Sequence, residues 1–149
     1  MKTPAGLTGG CQCGAVRYRL EGQPTGASVC HCRMCQKASG GPFMAFTGVR
    51  LAELVWTRGS AKLFASSSDA ERGFCGACGT PLTYRLRDRD RISVSIGSLD
   101  DPEAAAPEMQ YGVESKLSWI ESIFSLPERD IARYIVANVS SRQHPDHDT

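Results

Sequence analysis

The sequence predicts a mainly β domain with short helices, one of them near the C-terminus. Three observations lead there. Several short segments alternate apolar and polar residues with a period of two, the mark of half-buried strands. Clusters of glycine, proline and serine separate those segments at short intervals, as turns do. Helical spacing beside a capping signal occurs late in the chain.

The first strand is expected over residues 15–20, where Val16, Tyr18 and Leu20 alternate with Arg17 and Arg19. Residues 21–26 hold Gly22, Pro24 and Gly26 and read as a turn. Residues 29–32 are short and extended, and 33–38 have room for one helical turn, stopped by Ser39, Gly40, Gly41 and Pro42. Strands are expected at 43–49 and 51–57, then a turn at 58–60, a strand at 61–66 and a polar loop at 67–72. Residues 74–79 form a tight cysteine loop. Leu82, Tyr84 and Leu86 alternate with Thr83, Arg85 and Arg87. After a turn at 88–91, Ile92, Val94 and Ile96 resume the pattern, so the segment reads as a hairpin. Residues 97–107 are a loop rich in acid, alanine and proline, and 112–124 read as strand or irregular, with Trp119 and Phe124 in the core. A helix is expected over 127–138, with Ser125 as cap, Glu128 completing a capping box, and Ile131 and Ile135 on one face.

With 149 residues, 41% of them hydrophobic, the chain fits one domain with a modest core. We expect that domain over residues 1–139, with a flexible polar tail over 140–149. A net charge of +1 supplies no global basic field toward nucleic acid or membrane. The first ten residues carry one lysine and no apolar run, so nothing there reads as a signal peptide. No segment approaches the ~20 apolar residues that a transmembrane helix needs. The expected location is the cytoplasm, where thiols stay reduced. Seven cysteines there, an odd number, disfavour a closed disulfide framework.

The cysteines fall into three groups: Cys11 and Cys13; Cys30, Cys32 and Cys35; Cys75 and Cys78. Residues two apart in an extended chain point the same way, so Cys11 and Cys13 can reach one metal from a strand. Cys75 and Cys78 can do so from a tight turn that Gly76 and Gly79 ease. Together they make four thiolates, a closed tetrahedral zinc site joining positions more than sixty residues apart. Structural zinc contributes ~10–16 kcal/mol of apparent binding free energy in small peptides, enough to decide whether a domain folds. Cys30, Cys32 and Cys35 remain, and three protein ligands with an open fourth position are the pattern of catalytic zinc. His31 lies between two of them, with its ring directed away if the segment is extended. A different partition also fits the spacing, in which this trio joins Cys75 or Cys78 in one site. Zinc is preferred to iron–sulfur because the ligands are closely paired.

Four ordered runs carry a resemblance: GGCQCGAVRY over residues 9–18, CHCRMCQKASG over 30–40, RGFCGACGTPL over 72–82 and GSLDDP over 97–102. Together they resemble the glutathione-dependent formaldehyde-activating enzyme family, which also includes centromere protein V. The resemblance implies a mostly β fold, sometimes called the β-tent. It implies two zinc ions per chain: a structural one on Cys11, Cys13, Cys75 and Cys78, and a catalytic one on Cys30, Cys32 and Cys35. It also implies a carbon–sulfur lyase that adds a thiol such as glutathione to formaldehyde, or eliminates it in reverse.

Arg33 and Lys37, beside the trio, are candidates for contact with the carboxylates of such a thiol. Arg85, Arg87, Arg89 and Arg91 recur at intervals of two and read as a solvated face partly neutralised by Asp88 and Asp90. Ser66, Ser67 and Ser68 read as a turn, Asp100 and Asp101 as a turn or cap before Pro102, and His144 and His147 as residues of a polar tail. Two rival functions are a non-enzymatic zinc-binding interaction module and a nucleic-acid-binding zinc domain. An open position on the second zinc favours the enzyme, and the low net charge disfavours the last.

Overall fold

The computed structural model describes residues 5–131 and 140–148. In chain order it contains β1 (Thr8–Gly10), β2 (Arg17–Leu20), β3 (Thr25–Cys30), α1 (Arg33–Ser39), β4 (Met44–Val49), β5 (Leu54–Arg58), β6 (Lys62–Ala65), β7 (Ala70–Phe74), β8 (Pro81–Leu86), β9 (Ile92–Ser95) and β10 (Met109–Tyr111). Short 3-10 turns fill several connections, among them Ile96–Ser98, Val113–Ser115 and Ile120–Ser125. The chain is mainly β, as the alternating segments predict. No helix among the described residues is long and apolar enough to cross a membrane.

The strands form two sheets. One is the antiparallel set β1-β2-β5. The other has seven strands in the order β10-β3-β4-β9-β8-β7-β6. Among the described strands only β10 runs parallel to its neighbour, β3, which it reaches through the long connection after β9. The β8–β9 hairpin pairs Thr83 with Val94 and Tyr84 with Ser93. Tyr18 and Leu20 of the small sheet, with Val16 just before it, pack with Leu82 and Val94 of the large one and Ile96 just after it, so the main core lies between the sheets. Tyr18 is fully buried; its ring meets Trp56 edge-on at 6.1 Å, and its hydroxyl pairs with Ser98 Oγ at 2.7 Å.

The alternation in β2 holds for its apolar residues and fails at Arg17, which is only 2% exposed. Its guanidinium donates to both carboxylate oxygens of Asp100, at 2.8 and 2.5 Å, and to the His147 carbonyl at 2.6 Å. Thr8 Oγ1 donates to the same carboxylate at 2.6 Å. Asp100 is therefore the counter-ion of a buried arginine rather than a turn residue alone. Burial pushes its carboxyl upward, but the Arg17 and Thr8 hydrogen bonds outweigh that and hold it below the usual range.

Several elements differ from the sequence reading. β1 and β10 lie where no strand is expected, and the strand expected over 51–57 opens with a 3-10 turn at Leu51–Glu53 before β5. β3 begins at Thr25, inside the expected turn, because Gly26 adopts φ +67 where the β3–β4 register shifts, and the chain stays paired. β7 begins at Ala70, inside the expected polar loop. Its charges are absorbed on both faces: Glu71 pairs with Arg85 and Arg87, and Arg72 turns inward. Trp119 and Phe124 are at the surface, 50% and 93% exposed, because their segment runs in 3-10 turns that build no inward face. Most of the helix expected at 127–138 lies outside the described residues; its described start, 127–131, is exposed and forms no α-helix, and Ile131 is at the surface.

Candidate metal centres and the groove beside them

The turn after β1 carries Cys11 and Cys13, and the turn between β7 and β8 carries Cys75 and Cys78. Backbone bonds shape each knuckle: Cys11 N–H donates to Val16 O at 2.9 Å, and Cys75 N–H to Thr80 O at 2.9 Å. The Gln12 N–H donates to Thr80 Oγ1 at 3.0 Å and joins the two turns. All four sulfurs lie within 4.8 Å of one another. Cys11 Sγ is 3.5 Å from Cys13 Sγ, which is 3.9 Å from Cys75 Sγ. Tetrahedral Zn–S bonds of about 2.3 Å require S···S separations of about 3.8 Å, so the set fits a four-thiolate metal. The donors around it suit thiolates too. Val16 N–H reaches Cys11 Sγ at 3.2 Å and Ala77 N–H reaches Cys75 Sγ at 3.4 Å. Burial raises the Cys78 thiol, but hydrogen bonds from the Thr80 hydroxyl and backbone bring it down to about 6.

The second cluster is local. Cys30 ends β3, Cys32 precedes the first residue of α1, and Cys35 is on its first turn. The Cys32 sulfur accepts the Cys35 N–H at 3.4 Å, an N-cap made with sulfur. The three sulfurs lie within 4.8 Å of one another, and no fourth Cys, His, Asp or Glu joins them among the described residues. The spacing therefore resolves into four plus three. Cys35 is buried, while Cys30 and Cys32 are half-buried, so the set faces outward on one side. As a free thiol Cys35 is pushed up to about 12, by burial first and against the pull of Arg72. Cys32 lies below the ordinary thiol range, since hydrogen bonds from Cys35 N–H and Cys30 outweigh its burial.

His31 points away from this set, as the extended backbone requires. Its ring is 2% exposed, meets Phe43 at 5.6 Å and pairs through Nε2 with Gln110 Oε1 at 3.0 Å. Gln36 of α1 donates to the His31 carbonyl at 2.7 Å and to the Ser115 carbonyl at 3.0 Å. Residues 110–115 thus clamp the cysteine loop from behind.

Gly112 shows how close that clamp sits. It has φ +63, and a Cβ there would stand 2.7 Å from Cys32 N and 3.1 Å from Cys32 Cβ. Gly112→Ala would meet both a left-handed backbone, costing ~1–2 kcal/mol, and a clash that moves Cys32. The expected result is a lower melting temperature together with weaker metal binding at the second cluster and an unchanged first cluster. Metal titration of the variant reads both, and wild-type binding at both clusters would refute it. The sequence signal for Gly112 was weak: a lone glycine at the head of a segment read as strand or irregular.

Arg72, not singled out from the sequence as a functional residue, lies against the second cluster. Its Nη2 donates to Cys35 Sγ at 3.4 Å, its Nη1 approaches Met44 Sδ at 3.8 Å, and its Cζ sits 4.9 Å from the Tyr84 ring centroid. A cavity of about 340 Å³ opens beside it, walled by Arg33, Lys37 and Arg72 with Met34 and Phe64. Met34 and Phe64 are 56% and 61% exposed. The other arginines marked in the sequence are engaged elsewhere. Arg85 and Arg87 pair with Glu71, Arg89 with Asp88, and Arg91 donates to the Thr25 and Gly48 carbonyls. His144 donates its backbone N–H to the Gln12 carbonyl at 2.7 Å, and neither His144 nor His147 belongs to a metal cluster.

The described fold and both clusters can be set against known proteins. A protein of Halomonas elongata, named provisionally as a glutathione-dependent formaldehyde-activating enzyme, is 28% identical over 138 residues, 86% of this chain and 88% of that one. An uncharacterised lyase of Schizosaccharomyces pombe is 37% identical over 76 residues, covering 51% of this chain and 55% of the lyase. A crystal structure of a Rhodobacter sphaeroides protein shares the fold, with TM-score 0.56 and 23% identity over 69% of this chain and 98% of that one. Residues 6–115 match the family described as glutathione-dependent formaldehyde-activating enzyme. A match of that length, running through all seven cysteines, makes this chain a member of the glutathione-dependent formaldehyde-activating enzyme family.

Proposed function

We propose that the chain is a zinc-dependent carbon–sulfur lyase that joins a thiol such as glutathione to a small aldehyde and releases it in reverse. What supports this most directly is the open three-sulfur set at Cys30, Cys32 and Cys35 beside a cationic cavity. Cys11, Cys13, Cys75 and Cys78 hold the structural zinc in this reading. Cys30, Cys32 and Cys35 would hold the second zinc, and a metal there would supply an open position with the Lewis acidity to favour the thiolate form of a thiol at neutral pH.

The remaining work falls to the protein's own groups. Arg33 and Lys37 stand exposed one turn apart on α1, line the cavity, and offer the co-substrate's carboxylates charge-assisted hydrogen bonds. Met34 and Phe64 give its stem an apolar wall. Holding thiol and aldehyde together makes a bimolecular addition effectively unimolecular. The reaction balances without an oxidant: a carbon–sulfur bond forms, and the aldehyde oxygen gains the proton the thiol gives up. The arginines of the β8–β9 hairpin are satisfied internally, which weighs against a nucleic-acid partner. The reading places the protein in the cytoplasm, where its thiols stay reduced.

The exposed Trp119, Phe124 and Leu126 support a second reading, a zinc-shaped interaction module without catalysis. Metal analysis and a rate assay separate the two. Two zinc ions per chain are expected, with glutathione–formaldehyde exchange faster than the uncatalysed reaction. A thiol lacking carboxylates should show a KM higher by about tenfold or more, the loss of one charge-assisted contact. Two zinc ions without any acceleration, for any thiol in a panel, would leave only the interaction module.

A further inference from the structure

We infer that Arg72 is the fixed counter-charge of the Cys30–Cys32–Cys35 centre, a positioning residue that sets how tightly a divalent metal is held there. This rests on the proposal that the trio binds a metal at all. Arg72 is 9% exposed, and no carboxylate among the described residues lies within ion-pair reach of it. Arg17, Arg19, Arg50, Arg85, Arg87 and Arg89 all have an acidic partner. The adjacent Glu71 does not serve Arg72, because strand alternation turns it to the other face, where it holds Arg85 and Arg87.

A guanidinium so deeply buried requires a negative neighbour. What surrounds it is sulfur and an aromatic face: Cys35 Sγ at 3.4 Å, Met44 Sδ at 3.8 Å and the Tyr84 ring at 4.9 Å. Three thiolates around a divalent metal leave one net negative charge, and Arg72 cancels it. The donor geometry fixes the Cys35 sulfur as well, the role that outer partners play around metal ligands. Strand β7 carries Arg72 three residues before Cys75, so the strand leading into the first cluster also delivers the charge to the second.

The test is metal affinity, not turnover. Arg72→Met keeps an apolar stem and removes the charge. Competition with a chromophoric chelator should show zinc at the second centre weakened ~10–100-fold, with the first centre unchanged. Arg72→Lys should recover much of that loss, and the thiolate-to-metal absorption of the cobalt-substituted protein should shift in the methionine variant and return toward wild type in the lysine one. Retention of the first metal reports that each variant folds; if Arg72→Met loses it, Arg72→Gln carries the same comparison. Equal second-centre affinity in wild type and the neutral variant overturns the assignment. So does a lysine variant as weak as the methionine one, since packing rather than charge would then be at work. A wild-type chain that binds one metal instead sinks the proposed function itself, a distinguishable outcome.

Discussion

Replacement of Cys75 by serine is expected to cost the fold, not only a metal. Cys75 is 1% exposed and sits in the main core with Val16 and Leu82. Its cluster joins the turn between the two strands β1 and β2 to the turn between β7 and β8, and so ties the small sheet to the large one. Cys13 and Cys75 are 62 positions apart, so the link closes a long loop and removes much freedom from the unfolded chain. Structural zinc contributes ~10–16 kcal/mol in isolated peptides, comparable to the ~5–15 kcal/mol of whole-domain stability. A ligand change that costs even about 3 kcal/mol of this lowers the melting temperature by about 6–12 °C for a chain of this size. The expected outcome is therefore a protein that melts at least that far below wild type and retains less than its first zinc, or that fails to accumulate folded. Calorimetry beside metal analysis checks it. A Cys75→Ser protein melting with the wild type would show that the core holds the two sheets together without this cluster.

The contrast between the two clusters explains what could be read from sequence and what could not. The grouping of the cysteines was legible because sulfurs able to share a metal recur at short spacing, and such spacing is local. The β8–β9 hairpin was legible for the same reason: Leu82, Tyr84, Ile92 and Val94 repeat with the period of a strand. Arg17 and Arg72 were not. Both are charged residues at positions where alternation says outward or loop, and both are buried because a partner distant in sequence meets them. Asp100 is 83 positions from Arg17, and Cys35 is 37 from Arg72. Trp119 and Phe124 failed in the opposite sense, since apolar character alone does not supply an element to bury it. Gly112 was hidden because its left-handed turn carries a second constraint, a close approach to Cys32, that is distant in sequence. What local pattern encodes was recoverable; of the pairings made across the sheets, only the one marked by paired cysteines was.

The second large effect is expected from Cys35→Ser, and it should look different from the first. Cys35 belongs to a small satellite core with Met44 and Phe46, and its cluster spans one loop and the start of α1, so it closes no long segment of chain. Serine there leaves Arg72 facing a neutral hydroxyl in place of a sulfur anion. Weakening one hydrogen bond to a buried charge costs ~1–3 kcal/mol, a drop of about 2–12 °C in melting temperature. The first zinc should stay and the second should go, so metal per chain falls from two to one. Acceleration of thiol–aldehyde exchange should fall to the uncatalysed rate, because two remaining sulfurs no longer present the open position where a thiol gives up its proton. Measured at fixed thiol and aldehyde, with zinc content determined on the same sample, the variant separates stability from chemistry. An unchanged rate in a protein that has lost its second zinc would place the reaction elsewhere in the molecule, and the cavity between α1 and β7 would then need another use.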